Sequence, residues 1–191
     1  MKKNINFYIF IYLIILFFFS VFFLYQKHEV SNDSTISEWL INYEGGFTKR
    51  GLIGQLSIYL SNFFIIKLRE AIFILQTLMV GVYFVLIYQF LKNISYNKIF
   101  IFAIFTPIFI LYPIAEIEVL ARKETFVFAY FIAYTFIPEE PKNYKFVCKF
   151  LFFPIIILIW EPVIFFILFF IFLDLVENKI TKINKSLILQ I

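Results

Sequence analysis

The chain has a single cysteine, Cys148, and a single histidine, His28. One cysteine excludes an intramolecular disulfide. One histidine excludes a multi-histidine metal site and any catalytic scheme that needs two imidazoles. The sequence has no Walker A loop, no dinucleotide-binding fingerprint and no Cys-x-x-Cys pair. Charge is scarce as well: 16% of the residues are charged, against roughly 25% in soluble domains. No nucleic-acid partner is expected from such a chain.

What fills the sequence is apolar. Hydrophobic residues make up 62% of it and phenylalanine alone occurs 30 times, giving a mean hydropathy of +0.89. Long Phe/Ile runs suit lipid as solvent, and crossing the hydrocarbon core takes about 20 apolar residues as helix. Candidate spans are 5–25, 71–91, 98–115 and 120–137. The first is longer than a signal-peptide core and no small-x-small cleavage site follows it, so it reads as a retained helix. Residues 186–191 read as the start of a further span, which makes truncation at the C-terminus an expectation.

The stretch 146–176 is apolar except for Lys149, Glu161 and Asp174. It fits one long helix with Glu161 buried at its middle, or two short arms turning at Trp160-Glu161-Pro162. Charge favours the hairpin. Cytoplasmic segments are enriched in Lys and Arg. With Lys2 and Lys3 inside, the hairpin also puts Lys92, Lys98, Lys142, Lys145, Lys149, Lys179, Lys182 and Lys185 on inner segments. Lys145 and Lys149 then have to snorkel to the inner surface. The expected fold is an all-α polytopic transmembrane bundle, a single domain over 1–191, with about six spans or half-spans and a cytoplasmic N-terminus.

The outer loop, 26–70, has structure of its own. Thr35-x-x-Glu38 is a capping-box pattern that predicts a short helix through Trp39 and Leu40, ended by Gly45-Gly46. From Leu52, apolar residues recur at helical spacing through Leu56, Tyr59, Leu60 and Phe63. That stripe predicts an amphipathic helix on the membrane surface. Ile58 and Ile65 interrupt its polar face and leave a re-entrant helix as the alternative. His28 is expected in a solvated loop just beyond the first span.

In this topology three places bring ionisable groups to the outer face: Glu44, Lys49 and Arg50; then Glu116, Glu118, Arg122, Lys123 and Glu124; then Glu161. Charges embedded in apolar sequence are costly and mark functional candidates. Arg and Lys neutralise phosphate oxygens, and a carboxylate serves as base to a sugar hydroxyl. Lys49, Arg50, Arg122 and Lys123 are therefore candidates for binding a phosphate-bearing substrate, with Gly46 and Gly51 permitting close backbone approach. Glu44 and Glu161 are the candidate catalytic carboxylates. Glu116-x-Glu118 offers oxygen ligands to a divalent cation, the one cofactor the sequence admits.

Each group also has a plainer role. Glu118 and Arg122 have the i,i+4 spacing of a helix-stabilising pair. Lys49-Arg50 could anchor to anionic headgroups. Glu161 precedes Pro162 as helix-start residues do, and Glu44 fits a turn. If the cavity reading holds, Glu44 or Arg50 should lie within about 10–12 Å of Arg122 or Glu161, roughly a Debye length. Glu161 has no charged neighbour in sequence, so its partner is expected to be Arg122 or Arg50.

The loop Asn42-Tyr43-Glu44-Gly45-Gly46-Phe47-Thr48-Lys49-Arg50-Gly51-Leu52-Ile53-Gly54 resembles that of a group of bacterial inner-membrane proteins of surface-polysaccharide synthesis, near the polysaccharide polymerases and the polytopic GT-C-type glycosyltransferases. Asn42, Gly46, Phe47, Lys49, Arg50, Gly51, Leu52 and Gly54 carry the likeness. Arg122-Lys123-Glu124 looks like a second shared element, and Glu161 like the acidic half of a His-Glu pair in which Trp160 stands in the His place. The resemblance implies a polyprenyl-phosphate-linked sugar substrate and an acidic residue in the first outer loop. Glu44 is the match, with Glu29, Asp33 and Glu38 as competitors. The expected function is glycosyl transfer or polymerisation in cell-surface glycan assembly, at the bacterial inner membrane. The alternatives are a transporter or flippase-like carrier, and a non-catalytic membrane subunit.

Overall fold

A computed structural model describes residues 2–30, 33–93, 98–106, 111–112, 116, 118–137 and 143–178. Among them the chain is helical with no strand: α1 (Lys2–Glu29), α2 (Ser34–Trp39), α3 (Leu52–Phe64), α4 (Leu68–Asn93), α5 (Lys98–Phe105), α6 (Glu124–Thr135), α7 (Asn143–Ile159), a 3-10 segment (Glu161–Phe166) and α8 (Ile167–Asn178). Lys142, the three lysines at 179, 182 and 185, and the expected further span at 186–191 lie outside the described residues.

Among the described residues two helices, α1 and α4, are long and apolar enough to cross a membrane. They run antiparallel, as successive ring pairs show: Phe10 with Tyr88 at 5.2 Å, Phe17 with Phe84 at 6.0 Å and Tyr25 with Phe73 at 6.3 Å. On α1, Ile9, Leu13, Ser20 and Leu24 are buried at helical spacing, while Phe7, Phe18, Phe19 and Phe22 are exposed. A helix apolar on both faces, with one left uncovered, suits contact with lipid rather than water.

Among the described residues the helices of the other expected spans are shorter. The 98–115 stretch begins as α5, which is 8 residues long and stops just before Thr106. Proline disfavours helical backbone in the residue before it, and Pro107 follows Thr106. The 120–137 stretch begins late, as α6 of 12 residues. Val119 and Leu120 are held in turns by the Glu116 carbonyl, and Ala121 has a left-handed backbone at φ 58°, so helical register starts only at Glu124.

The 146–176 stretch folds as a hairpin. Residues 153 and 170 would stand roughly 25 Å apart along one continuous helix, yet the Phe153 and Phe170 ring centroids are 5.5 Å apart. The break falls at Trp160, which is extended with φ −149° and ψ 96°, and Pro162 sits in the first turn that follows.

Three local expectations are corrected. The cap of α2 is Asp33, whose Oδ1 accepts from Thr35 N at 2.8 Å and Ile36 N at 3.2 Å. The Thr35 hydroxyl is occupied by Lys27 Nζ at 3.0 Å, and aspartate is at least as good an N-cap as threonine. α2 ends at Trp39 with Leu40 as its C-cap, well before Gly45-Gly46. His28 belongs to the last turn of α1, half-buried, with Nε2 2.8 Å from Gln76 Oε1.

Candidate functional site

The glycine-rich loop between α2 and α3 is a compact fold. The Asn42 side chain accepts from Glu44 N at 2.9 Å, the Thr48 hydroxyl donates to the Asn42 carbonyl at 2.8 Å, and Tyr43 N donates to Gln55 Oε1 at 3.1 Å. Gly46 takes φ +113° to turn the chain. Gly51 lies against the Tyr43 ring and Gly54 against the Ile41 carbonyl, so a β-carbon at either would collide with its neighbour. These glycines let the loop lie down on the start of α3. That packing leaves Arg50 in a left-handed conformation, φ 64°, which costs a non-glycine residue about 1–2 kcal/mol.

What holds Arg50 there comes from the connection before α6. Lys123, 1% exposed, donates from Nζ to the Arg50 carbonyl at 2.6 Å. Burial pushes its ammonium down to about 8, which nearby Glu38 opposes and Arg50 reinforces. Beside it the buried Trp39 indole donates to the Ala121 carbonyl at 3.0 Å. Arg122 pairs with Glu38 at 2.8 Å and Glu124 at 3.3 Å. Two of the three left-handed non-glycine residues among those described, Arg50 and Ala121, are thus each secured through the backbone carbonyl by a distant side chain, Arg50 by Lys123 and Ala121 by Trp39.

The hairpin apex completes the cluster. Glu161 opens the 3-10 segment, where a carboxylate is favoured by the helix dipole. Its Oε1 lies 3.5 Å from Arg50 Nη2 and its Oε2 3.6 Å from Lys49 Nζ. The expected partner of Glu161 is therefore found in Arg50. Charge-assisted N–H···O bonds are usually about 2.7–2.9 Å, so both contacts are long. Glu161 is 36% exposed and Lys49 80%, and exposed pairs of this kind hold weakly. Glu161 is thus held by two long contacts at a partly exposed site.

Other expected residues fall outside this cluster. Glu44 is exposed, and no ion pair to it exists among the described residues. The loop acid that does reach the cluster is Glu38, which the sequence marked for a capping role and as a competitor of Glu44. Glu118 does not pair with Arg122, because the left-handed turn at Ala121 removes the helical register that i,i+4 spacing requires. Glu116 and Glu118 are both exposed. Among the described residues no group of three or more His, Cys, Asp or Glu side chains is placed to hold a metal ion. Trp39 was missed as a clamp on Ala121; its only sequence signal is a tryptophan in a short polar loop. The chain matches no protein-family model, no curated protein and no solved structure.

Proposed function

We propose that the chain is an integral membrane protein of cell-surface glycan assembly, acting on a lipid-linked, polyprenyl-phosphate-type substrate as a glycosyltransferase or polymerase. The observation that carries this reading is the meeting of Arg50 and Lys49 with Glu161, from elements 111 residues apart in sequence, at 3.5 and 3.6 Å. Arg122 and Lys123 bring the second charged motif to the same place.

The chemistry follows from exchange. A phosphate competes with a carboxylate for the same cations and offers more acceptor oxygens. Phosphate bound to Arg50 and Lys49 would release Glu161, which could then take a proton from the acceptor hydroxyl. Arg122, already committed to Glu38 and Glu124, would steer the substrate electrostatically. Lys123 works indirectly, by fixing the Arg50 backbone. In this reading the bundle has about six spans or half-spans in the bacterial inner membrane, with its N-terminus cytoplasmic. α3 then lies on the outer surface with Leu56, Tyr59 and Phe63 toward lipid.

Glu161→Gln keeps the side chain's shape and removes its charge. It should abolish glycan assembly at unchanged protein level, measured as surface polysaccharide in cells carrying only the variant. Glu161→Leu should insert at least as well, since a partly buried carboxylate is lost. Full glycan output from either variant would reduce Glu161 to a turn residue. Single cysteines at positions 44, 122 and 161, in a Cys148→Ser background, should react with an impermeant thiol reagent from one side only. Reaction from both sides would indicate a carrier instead.

A further inference from the structure

The loop that carries Lys49 and Arg50 also carries an aromatic pair. Tyr43 and Phe47 stack nearly parallel, with ring centroids 5.6 Å apart and an interplanar angle of 10°. The Tyr43 ring is fixed from behind. It lies against Gly51, where a β-carbon would collide with it, and the Tyr43 backbone N–H donates to Gln55 Oε1. Phe47 is the outer layer and is 79% exposed, so one ring face is backed by Tyr43 and the other is open. Nothing lies within 4 Å of the β-carbon positions of Gly45 and Gly46, so the approach over this turn is clear. Turns are built from Gly, Asn, Asp and Ser; their geometry does not call for a bare phenyl ring held in water.

Phe47 stands two residues from Lys49, at most about 7 Å along the chain, and Lys49 and Arg50 both reach Glu161. In the preceding reading these cations take the phosphate of a lipid-linked substrate. Its sugar is joined to that phosphate through the anomeric oxygen and therefore lies beside the cations. An aromatic ring is negative on its face, and the C–H bonds on the less polar face of a sugar carry partial positive charge. We propose that Phe47, backed by Tyr43, is the platform on which the sugar ring of the substrate stacks. It is then a specificity residue, favouring a sugar-bearing polyprenyl phosphate over a bare one. The inference rests on the preceding reading of Lys49, Arg50 and Glu161 as the phosphate-and-base site.

The test uses cells carrying only the variant chain, with surface polysaccharide read at matched protein level. Phe47→Tyr and Phe47→Trp keep an aromatic face and should retain most of the output. Phe47→Leu matches phenylalanine in hydrocarbon but has no ring, and should lower output severalfold. Its thermal midpoint in detergent should change little, because the side chain is exposed. Overproducing Phe47→Leu should restore output, since weaker substrate binding is a loss of occupancy, whereas overproduced Glu161→Gln should stay inactive. A fall that overproduction does not restore, or that the tyrosine and tryptophan substitutions share, would make the ring a packing element and overturn the proposal. Full output from Phe47→Leu beside an inactive Glu161→Gln overturns the platform alone. Full output from Glu161→Gln removes the glycan reading, and the platform with it. A second measurement addresses lipid contact. Dibrominated phosphatidylcholine quenches tryptophan on contact, and the unsubstituted protein has Trp39 and Trp160. In vesicles of that lipid, Phe47→Trp should show no larger quenched fraction than the unsubstituted protein. A larger fraction would put residue 47 in lipid and overturn the platform.

Discussion

At the residue scale the site is governed by close approaches that only particular side chains allow. Gly54 is the tightest. Its neighbour is a backbone carbonyl, that of Ile41, which cannot swing aside as a flexible side chain would. Gly54→Ala should therefore destabilise the protein by about 2 kcal/mol or more, read as a lower thermal midpoint in detergent; an unchanged midpoint would mean that the loop does not lie on α3 as described. Lys123 gives a pH-dependent expectation. Its folded value of about 8 lies below the ordinary 10.5 of lysine. Between those two values the unfolded chain binds more protons than the folded one, so this group makes stability rise with pH across that window. Lys123→Met removes the titration and the bond to the Arg50 carbonyl. The variant should be less stable throughout and should lose that part of the rise between pH 8 and 10.5. Parallel pH profiles for the two proteins would sink the assignment.

At the element scale, much of α3 and of the hairpin was legible in the sequence. The Leu52, Leu56, Tyr59, Leu60, Phe63 stripe located α3 because helical periodicity is a local property. The buried positions Ile53, Gly54 and Ser57 occupy the side that packs on the bundle, while Leu56, Tyr59 and Phe63 remain exposed. An environment-sensitive fluorophore at position 59 or 63, in vesicles, should emit to the blue of the same fluorophore at the polar position 62. Equal emission would mean that α3 stands clear of lipid. The hairpin was legible because lysine placement and Trp160-Glu161-Pro162 indicated the same turn. The ends of α2 and α6 were not. Asp33 outcompetes Thr35 for the cap, and the left-handed turn at Ala121 is set by a contact with Trp39, 82 residues away in sequence. No local pattern encodes such a contact.

At the scale of the whole molecule, the charged motifs converge at one end of the α1–α4 pair. The Arg50–Glu161 meeting was anticipated because a lone carboxylate in apolar sequence needs a distant cation. The role of Glu38 was not, because a capping pattern explained it locally and concealed its reach to Arg122. The proposed topology makes a direct expectation: reporters fused after Asn97 and after Lys142 should sit in the cytoplasm, and one fused after Asp33 outside. An exterior signal at Lys142 would place the second and third motifs on opposite sides of the membrane and break the shared site.

The separation between Arg50 and Glu161 also sets an order of events during synthesis. A ribosome adds about 5–20 residues per second, so the 111 residues between the two take on the order of ten seconds to make. In the proposed topology the cationic loop is exported first and can settle onto α3 before the hairpin exists. The apex, carrying its carboxylate, would then emerge opposite cations already in position. On that topology the order of the motifs along the chain makes the early loop a receptor for the late hairpin, and a chain with the two segments exchanged would deliver its carboxylate to a face where nothing yet waits to bind it.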